Sequence, residues 1–346
     1  MQAVRVERRS ARQTDLTGRV ICHELRADDG RVVIAKGRVL DDDDSARALT
    51  LDWSELHLLV LDDDDVHEDE AGDRIARVVA GDGVAVRAPA GGHWPLAATQ
   101  RGLLAVDQVA LERINTLDGP CIYSLYDRQV VDSGEVVARA KILPFAITLD
   151  VLVRAETIAA AAGGVIRVRP FSPNRIGAVV HESMGERPVA RFRSAVAEKV
   201  GWFGSSLSAV ETAPPSVDGV ASAFRAIEKA GAHIVLVAGT KAMDMLDPTF
   251  AALDRIGARM IRHGVPAHPG SLLWLADWNG VPVIGMPTCG LFAQATVFDL
   301  VLARLLTGER LGSAELAGLG YGGFLNRDMA FRLPAYRAAA ERGAVE

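Results

Sequence analysis

The sequence predicts an α/β protein whose C-terminal part is a three-layer α/β/α domain on a mostly parallel sheet, preceded by a smaller α/β and β-rich region. Three observations carry this expectation. From Ile176 to Ala238 apolar runs alternate with amphipathic stretches in the order strand, helix, strand, helix, strand, which closes into a parallel sheet with helices on both faces. The run Ile234 to Ala238 is continuously apolar and stopped by Gly239, as in a buried parallel strand whose following turn presents a ligand-binding loop. From Gly81 to Phe145 the chain breaks into short valine-rich segments separated by Gly and Pro, as in a small β-rich module.

These patterns divide the chain into an α/β region over 1–80, the β-rich module over 81–146, a linker helix and strand over 147–170, the C-terminal domain over 171–325 and a tail over 326–346. In the first region, Val4–Glu7, Val20–Leu25 and Leu56–Leu61 read as strands, and Asp41 opens a capped helix whose leading acids complement its dipole. A second acidic run, Asp62–Asp65, precedes a helix with Ala71, Ile75 and Val78 on one face. His67, Glu68, Asp69 and Glu70 are metal-ligating types, but consecutive helical residues point in different directions, so the run reads as a solvated helix start. Val106–Leu117 and Ile147–Gly164 read as helices, the latter stopped by a Gly pair.

In the C-terminal domain, Ile176–Ser183 begins as an apolar strand with His181, Glu182 and Ser183 at its end. Arg187–Val200 is a helix with Phe192, Val196 and Val200 on one face, and Ser216 caps a second helix that Gly231 stops. Ser271–Trp278 and Val281–Gly285 are strands joined by Asn279-Gly280, a preferred hairpin dipeptide. Leu291–Leu306 would lay a stripe of Val297, Leu300, Val301 and Leu305 on the sheet. The loops around Gly239, Pro269-Gly270 and Pro287 would meet at one sheet edge.

Four elements in this order, Ala238-Gly239-Thr240, Asp247-Pro248-Thr249, His263-Gly264-Val265 with Pro269-Gly270, and Gly285-Met286-Pro287-Thr288, resemble the molybdopterin-binding domain family of MogA- and MoeA-type proteins. The run Thr296–Glu309 is similar to a longer MoeA-like subgroup; the likeness spans roughly residues 176–325 and extends more loosely over the front half through Val66–Gly72 and Glu135–Phe145. The resemblance implies a MogA-like fold and a protein that binds molybdopterin or the molybdenum cofactor and acts in its maturation, by molybdate insertion or a related step. Such an enzyme would be molybdopterin molybdotransferase-like or adenylyltransferase-like. The alternatives are a non-catalytic carrier or chaperone for a client molybdoenzyme and, third, a nucleotide-processing relative of the competence-damage proteins.

On that reading Gly239, Thr240 and Lys241 offer backbone donors and charge to the pterin's phosphate. Thr249, Pro269, Gly270, Pro287, Thr288, Ser183 and Arg191 complete the ligand site. Asp247 and Asp244 are the catalytic candidates, Asp247 also the magnesium ligand, with ATP as a further cofactor; helix capping suits Asp247 as well as magnesium does, and suits Asp244 better. Asp247→Asn is accordingly expected to remove magnesium-dependent activity with the fold intact. The chain departs from the family pattern at Ala238, Lys241 and Thr288, and at Ala190 or Arg191, where a helix-start Asp is expected.

Two other motifs fail. Gly239-Thr240-Lys241 would need Gly at 234 for a Walker A loop, and that residue is Ile234; Gly318–Gly323 imitates a dinucleotide fingerprint without a preceding strand and reads as a flexible connection. The net charge of −6 hides 14 acids and one base between Asp41 and Asp73, against 30 acids and 37 bases elsewhere. That remainder suits a small anionic ligand, not nucleic acid, which calls for a concentrated basic face. Without a membrane-length apolar stretch or a secretory signal, a cytoplasmic protein outside the membrane is expected, and a homo-oligomer. Cys22, Cys121 and Cys289 are far apart and form no zinc or disulfide pattern; Cys289 reads as a small buried residue at a helix start.

Overall fold

The computed structural model describes residues 1–291 and 295–336. The chain divides into two compact units. One comprises Met1–Gln100, Leu104–Asp127 and Val131–Val168; the other runs from Arg169 onward and includes Arg101–Leu103 and Arg128–Val130.

The N-terminal unit holds two cores. In the first, Gln2–Glu7, Glu55–Val60 and Val20–Ile21 form an antiparallel sheet with Glu55–Val60 in the middle, burying Val6, Ile21, Leu56 and Leu58. The strand expected over Val20–Leu25 is two: Leu25–Arg26 leaves this sheet and pairs with Val32–Ile34. The helix Asp42–Ala48 is capped by Asp41, whose carboxylate accepts from the Asp44 N–H at 2.7 Å.

The second core lies beneath a four-stranded antiparallel sheet of Pro120–Ser124, Val136–Ile142, Trp94–Ala98 and Val84–Val86. The helices Glu68–Val79, Gln108–Asn115 and Leu149–Ala161 contribute Ile75, Val79, Ile114 and Leu152 to it. A Cβ at Gly72 would lie 2.3 Å from the Trp94 ring, so the absent side chain lets the first helix rest on the indole. The segment read as a linker helix is an integral part of this core: Leu152, Ala155 and Ala159 are buried there, and Arg74 reaches Glu156 at 2.9 Å. The sequence signal was misleading because the alanine-rich Thr157–Ala161 run looks the same in a linker as against a close neighbour.

The C-terminal unit is the expected three-layer α/β/α arrangement. Its six strands lie in the order Ser206–Ala213, Arg175–His181, Ile234–Ala238, Val281–Gly285, Trp274–Trp278, Arg259–His263. The first four are mutually parallel and Trp274–Trp278 runs antiparallel to both neighbours, so the sheet is mostly parallel. Strand residues alternate between two cores: Ile176, Ala178 and Val180 meet Phe192 and Val196 of the helix Glu186–Trp202, while Val179, Val235 and Val237 meet Phe224 of Val217–Lys229 and Leu253 of Pro248–Arg255. Trp278 pairs with Val281 across Asn279-Gly280, both at positive φ (53° and 86°), as a two-residue hairpin requires. The first of these strands begins at Trp274, not Ser271. Opposite Trp274 stands Gly285; a Cβ there would lie 1.9 Å from the indole.

The final long helix differs from expectation. It spans Val297–Leu306, Thr296 caps it reciprocally with Asp299, and all ten residues are buried, so it is a core helix and not an amphipathic one. Part of the expected Leu291 start, residues 292–294, lies outside the described residues, as does 337–346 of the tail. Its two buried charges are matched: Asp299 accepts from the Lys199 ammonium at 2.8 and 3.0 Å and from the Tyr336 hydroxyl at 2.6 Å, and Arg304 donates to Glu309 at 2.6 Å. Burial, then the Asp299 charge, push the Tyr336 phenol well above its ordinary range. No helix among the described residues is long and apolar enough to cross a membrane.

Candidate functional site

The parallel strands Arg175–His181, Ile234–Ala238 and Val281–Gly285 end on the same side of the sheet, and a cavity of about 580 Å³ opens there. Gly239–Asp244 form one wall, Met286, Pro287, Thr288 and Leu291 another, and Met184, Pro188 and Leu272 complete it. The Gly239 and Pro287 loops therefore do meet, with Lys241 and Asp244 both at the cavity and exposed.

Gly239 turns the chain at φ 91°, a conformation L side chains rarely adopt. Its absent Cβ would lie 2.9 Å from His181 Cβ and 3.2 Å from Met184. Beneath the turn, Nε2 of buried His181 is hydrogen-bonded to Thr249 Oγ1 at 2.8 Å, and Thr249 Oγ1 lies 3.3 Å from Thr240 Oγ1. Burial favours the neutral His181 ring and holds its pKa below the ordinary value, against the upward pull of the Asp247 charge.

Of the two acids, Asp247 is the helix cap and Asp244 is the one at the cavity. Asp247, 5 % exposed, caps the helix Pro248–Arg255: one oxygen accepts from the Thr249 N–H at 2.9 Å, the other from the Lys241 N–H at 2.9 Å. Burial alone would raise its carboxyl, but these hydrogen bonds outweigh that and hold it below the usual carboxylate range. Both oxygens serve main-chain donors, and Asp247 is not among the residues that line the cavity. Asp244, favoured as a cap, lines the cavity, where one oxygen also accepts from the Leu246 N–H at 3.0 Å. No group of three or more His, Cys, Asp or Glu among the described residues could hold a metal ion.

The Asp247 cap supplies a test. Asp247→Ala removes a helix cap and leaves the Lys241 N–H without its acceptor, and is expected to cost about 2 kcal/mol of stability by urea unfolding. Asp247→Asn, with one acceptor oxygen for two donors, should lose a substantial part of that as well. Because the folded-state pKa is lowered, the contribution is present above the unfolded carboxyl value and disappears as pH falls through the folded one. The difference between wild type and Asp247→Ala should therefore shrink in strong acid and hold steady near neutrality.

The other expected site residues fall in two groups. Gly239, Thr240, Lys241, Pro287 and Thr288 line the cavity, although the Lys241 N–H, one of the three amides offered to an anion, already serves Asp247. Thr249, Pro269, Gly270, Ser183 and Arg191 do not line it. Thr249 is fully buried under the turn, Pro269 accepts from the Val297 N–H at 3.1 Å, and a Cβ at Gly270 would lie 2.6 Å from Val297. Ser183 sits in the turn Glu182–Met184. The helix after the first strand begins at Glu186, so Ala190 and Arg191 belong to its second turn and the acid in its first turn is Glu186.

His263 Nε2 lies 2.6 Å from the Ala242 carbonyl and its ring packs on Phe250, while the His268 N–H donates to Gly323; neither histidine lines the cavity. Cys289 is exposed in the turn Thr288–Gly290, not buried. His67, Glu68, Asp69 and Glu70 open their helix as the dipole argument requires, with His67 Nδ1 accepting from the Asp69 N–H, but Glu68 is buried and not solvated. Gly318–Gly320 forms a 3-10 turn, and the Gly323 carbonyl is engaged by His268.

Sequence reasoning gave the cavity no apolar side: Met184, Pro188, Met243 and Leu272 went unnamed, and Met286 and Leu291 entered only as part of a motif and a helix start. One signal was available. Met243, Met245 and Leu246 flank Asp244 in a turn where polar residues are usual, and all three stand exposed, Leu246 at 91 %.

No protein-family model matches this chain, and no curated protein matches it. Among solved structures, a molybdopterin biosynthesis MoeA protein of Pyrococcus horikosii is similar at 14 % identity and a TM-score of 0.29, over 70 % of this chain and 79 % of that one. A molybdenum cofactor biosynthesis protein of Pyrococcus furiosus is similar at 14 % identity and a TM-score of 0.25, over 92 % of this chain and 65 % of that one.

Proposed function

We propose that the C-terminal unit binds molybdopterin or the molybdenum cofactor in the cavity beside Gly239 and serves in the maturation of that cofactor. The observation behind this reading is the meeting of the Gly239 and Pro287 loops, two of the four motif elements, around one cavity of about 580 Å³ that is apolar on one side and carries Lys241 on the other. A planar pterin suits the methionine and leucine wall, and a terminal phosphate suits the Lys241 ammonium, which makes no ion pair among the described residues.

A second reading, the non-catalytic carrier, draws support from Asp247. A carboxylate whose two oxygens both accept main-chain hydrogen bonds supports a loop and not a metal. Anaerobic titration with molybdopterin, followed through the fluorescence of the oxidised pterin, tests both. Wild type should bind, and Lys241→Ala should bind roughly tenfold more weakly, the value of one charge-assisted contact. Undiminished binding by Lys241→Ala, or none by wild type, would remove the assignment. Addition of magnesium, ATP and molybdate then separates the readings: cofactor formation supports the enzyme, binding without turnover the carrier.

A further inference from the structure

The N-terminal unit contains a cavity of about 840 Å³ that the reading above does not use. It opens at the start of the helix Glu68–Val79, and its lining includes Lys36, Gly37, Glu68, Gly92, Lys141 and Phe145. Glu68 is the unusual member. It is only 7 % exposed, it faces the cavity, and its carboxylate has no hydrogen bond or ion pair among the described residues. Its oxygens are not sealed in the interior but open on the cavity, where no protein donor among the described residues meets them.

The surroundings hold it in place. A Cβ on Gly37 would lie 2.3 Å from Glu68 Oε1 and 3.1 Å from the Phe145 ring, and one on Gly92 would lie 3.3 Å from Oε2. The Glu68 N–H donates to the Phe145 carbonyl at 2.7 Å, fixing the carboxylate beside that ring. Burial pushes the Glu68 carboxyl up, while His67, Lys141 and Lys36 pull it down and Asp69 pushes it further.

The remaining charges at the cavity sort into used and unused. Arg38 is held by Asp44 and Asp41 and Glu24 by Arg26, while the Asp69 carboxylate is exposed to solvent. Lys36 and Lys141, from two different segments, have no ion-pair partner among the described residues. Inside the cavity this leaves one buried acceptor-only carboxylate, two ammonium groups and one aromatic ring. A bare anion would be repelled by Glu68, and a bare cation by the lysines.

We propose that this cavity is a second ligand site, taking a planar heterocycle with a 2-amino-4-oxo-pyrimidine edge and a phosphate. The paired N–H groups of the edge donate to Glu68, the ring lies against Phe145, and the phosphate sits between Lys36 and Lys141. Guanine nucleotides and phosphorylated pterins share this edge. Adenine does not, because its N1 is an acceptor.

Calorimetric titration of the full chain with GMP, AMP, guanosine and inorganic phosphate tests the site. GMP is expected to bind at least roughly tenfold more tightly than AMP or guanosine, since each of these lacks one charge-assisted contact. Glu68→Gln, which trades an acceptor oxygen for an amide donor, should bring GMP down to the AMP level, and Lys141→Ala with Lys36→Ala should bring it to the guanosine level. Displacement of GMP by neopterin phosphate decides between the two sources: a pterin that displaces it at lower concentration than GMP itself is the ligand type. Equal binding of GMP and AMP, or unaltered GMP binding by Glu68→Gln in a protein with a wild-type unfolding transition, overturns the proposal. The outcome is independent of the C-terminal reading, which Lys241→Ala addresses.

Discussion

Asp299→Ala is expected to lower the unfolding free energy by about 3–5 kcal/mol, the cost of leaving a buried charge without its partner. The side chains of Lys199 and Asp299 are 3 % and 0 % exposed, and the Lys199 ammonium lies 5.7 and 5.4 Å from the centres of the Phe298 and Tyr336 rings. Removing the carboxylate leaves a cation among aromatic rings, takes the acceptor from the Tyr336 hydroxyl and unmakes the Thr296 capping box. Urea unfolding at neutral pH measures the loss. The pairing argument also makes a sign prediction: Lys199→Met combined with Asp299→Leu should be more stable than Asp299→Ala alone, because both desolvated charges are gone. If the double variant is the weaker of the two, packing and not charge dominates this position.

Gly239→Val is expected to weaken molybdopterin binding by roughly tenfold or more, from backbone strain of about 1–3 kcal/mol at the one turn on which the cavity depends. A β-branched residue at φ 91° must also displace His181 and Met184, which sit where its Cβ would go. The chain then either keeps the turn under strain or relaxes it and shifts Thr240 and Lys241 at the cavity wall. The anaerobic titration reads the loss, and far-UV circular dichroism should show the secondary structure retained. Wild-type affinity in this variant would mean that the turn at Gly239 does not shape the site.

Much of the C-terminal architecture was legible because buried parallel strands advertise themselves. Ile234–Ala238 and Val281–Gly285 were bounded to the residue, each being a short apolar run cut off by glycine. Ser216 as a cap and Asn279-Gly280 as a turn were equally local features. What escaped was everything set by partners distant in sequence. The stripe on Val297–Leu306 was real, but nothing local says that Lys199 comes to meet Asp299 and closes the polar side.

The site shows the same division. The loops at Gly239 and Pro287 follow strands and were found; Pro269 and Gly270 share the motif but are packed against Val297 and Thr296 instead. Asp244 and Asp247 are indistinguishable as letters three residues apart. Only the direction of each carboxylate, one toward the cavity and one toward two amides, separates them.

The ten-residue helix through the C-terminal core has a consequence for how the chain finds its topology. It carries an acid near one end and a base near the other, each answered by a fixed counterpart, Lys199 for the acid and Glu309 for the base. Its apolar residues would tolerate many rotations and either polarity, since oil has no compass. The two ions supply one: insertion back to front strands both of them, so electrostatics selects a single orientation that greasiness alone leaves undecided.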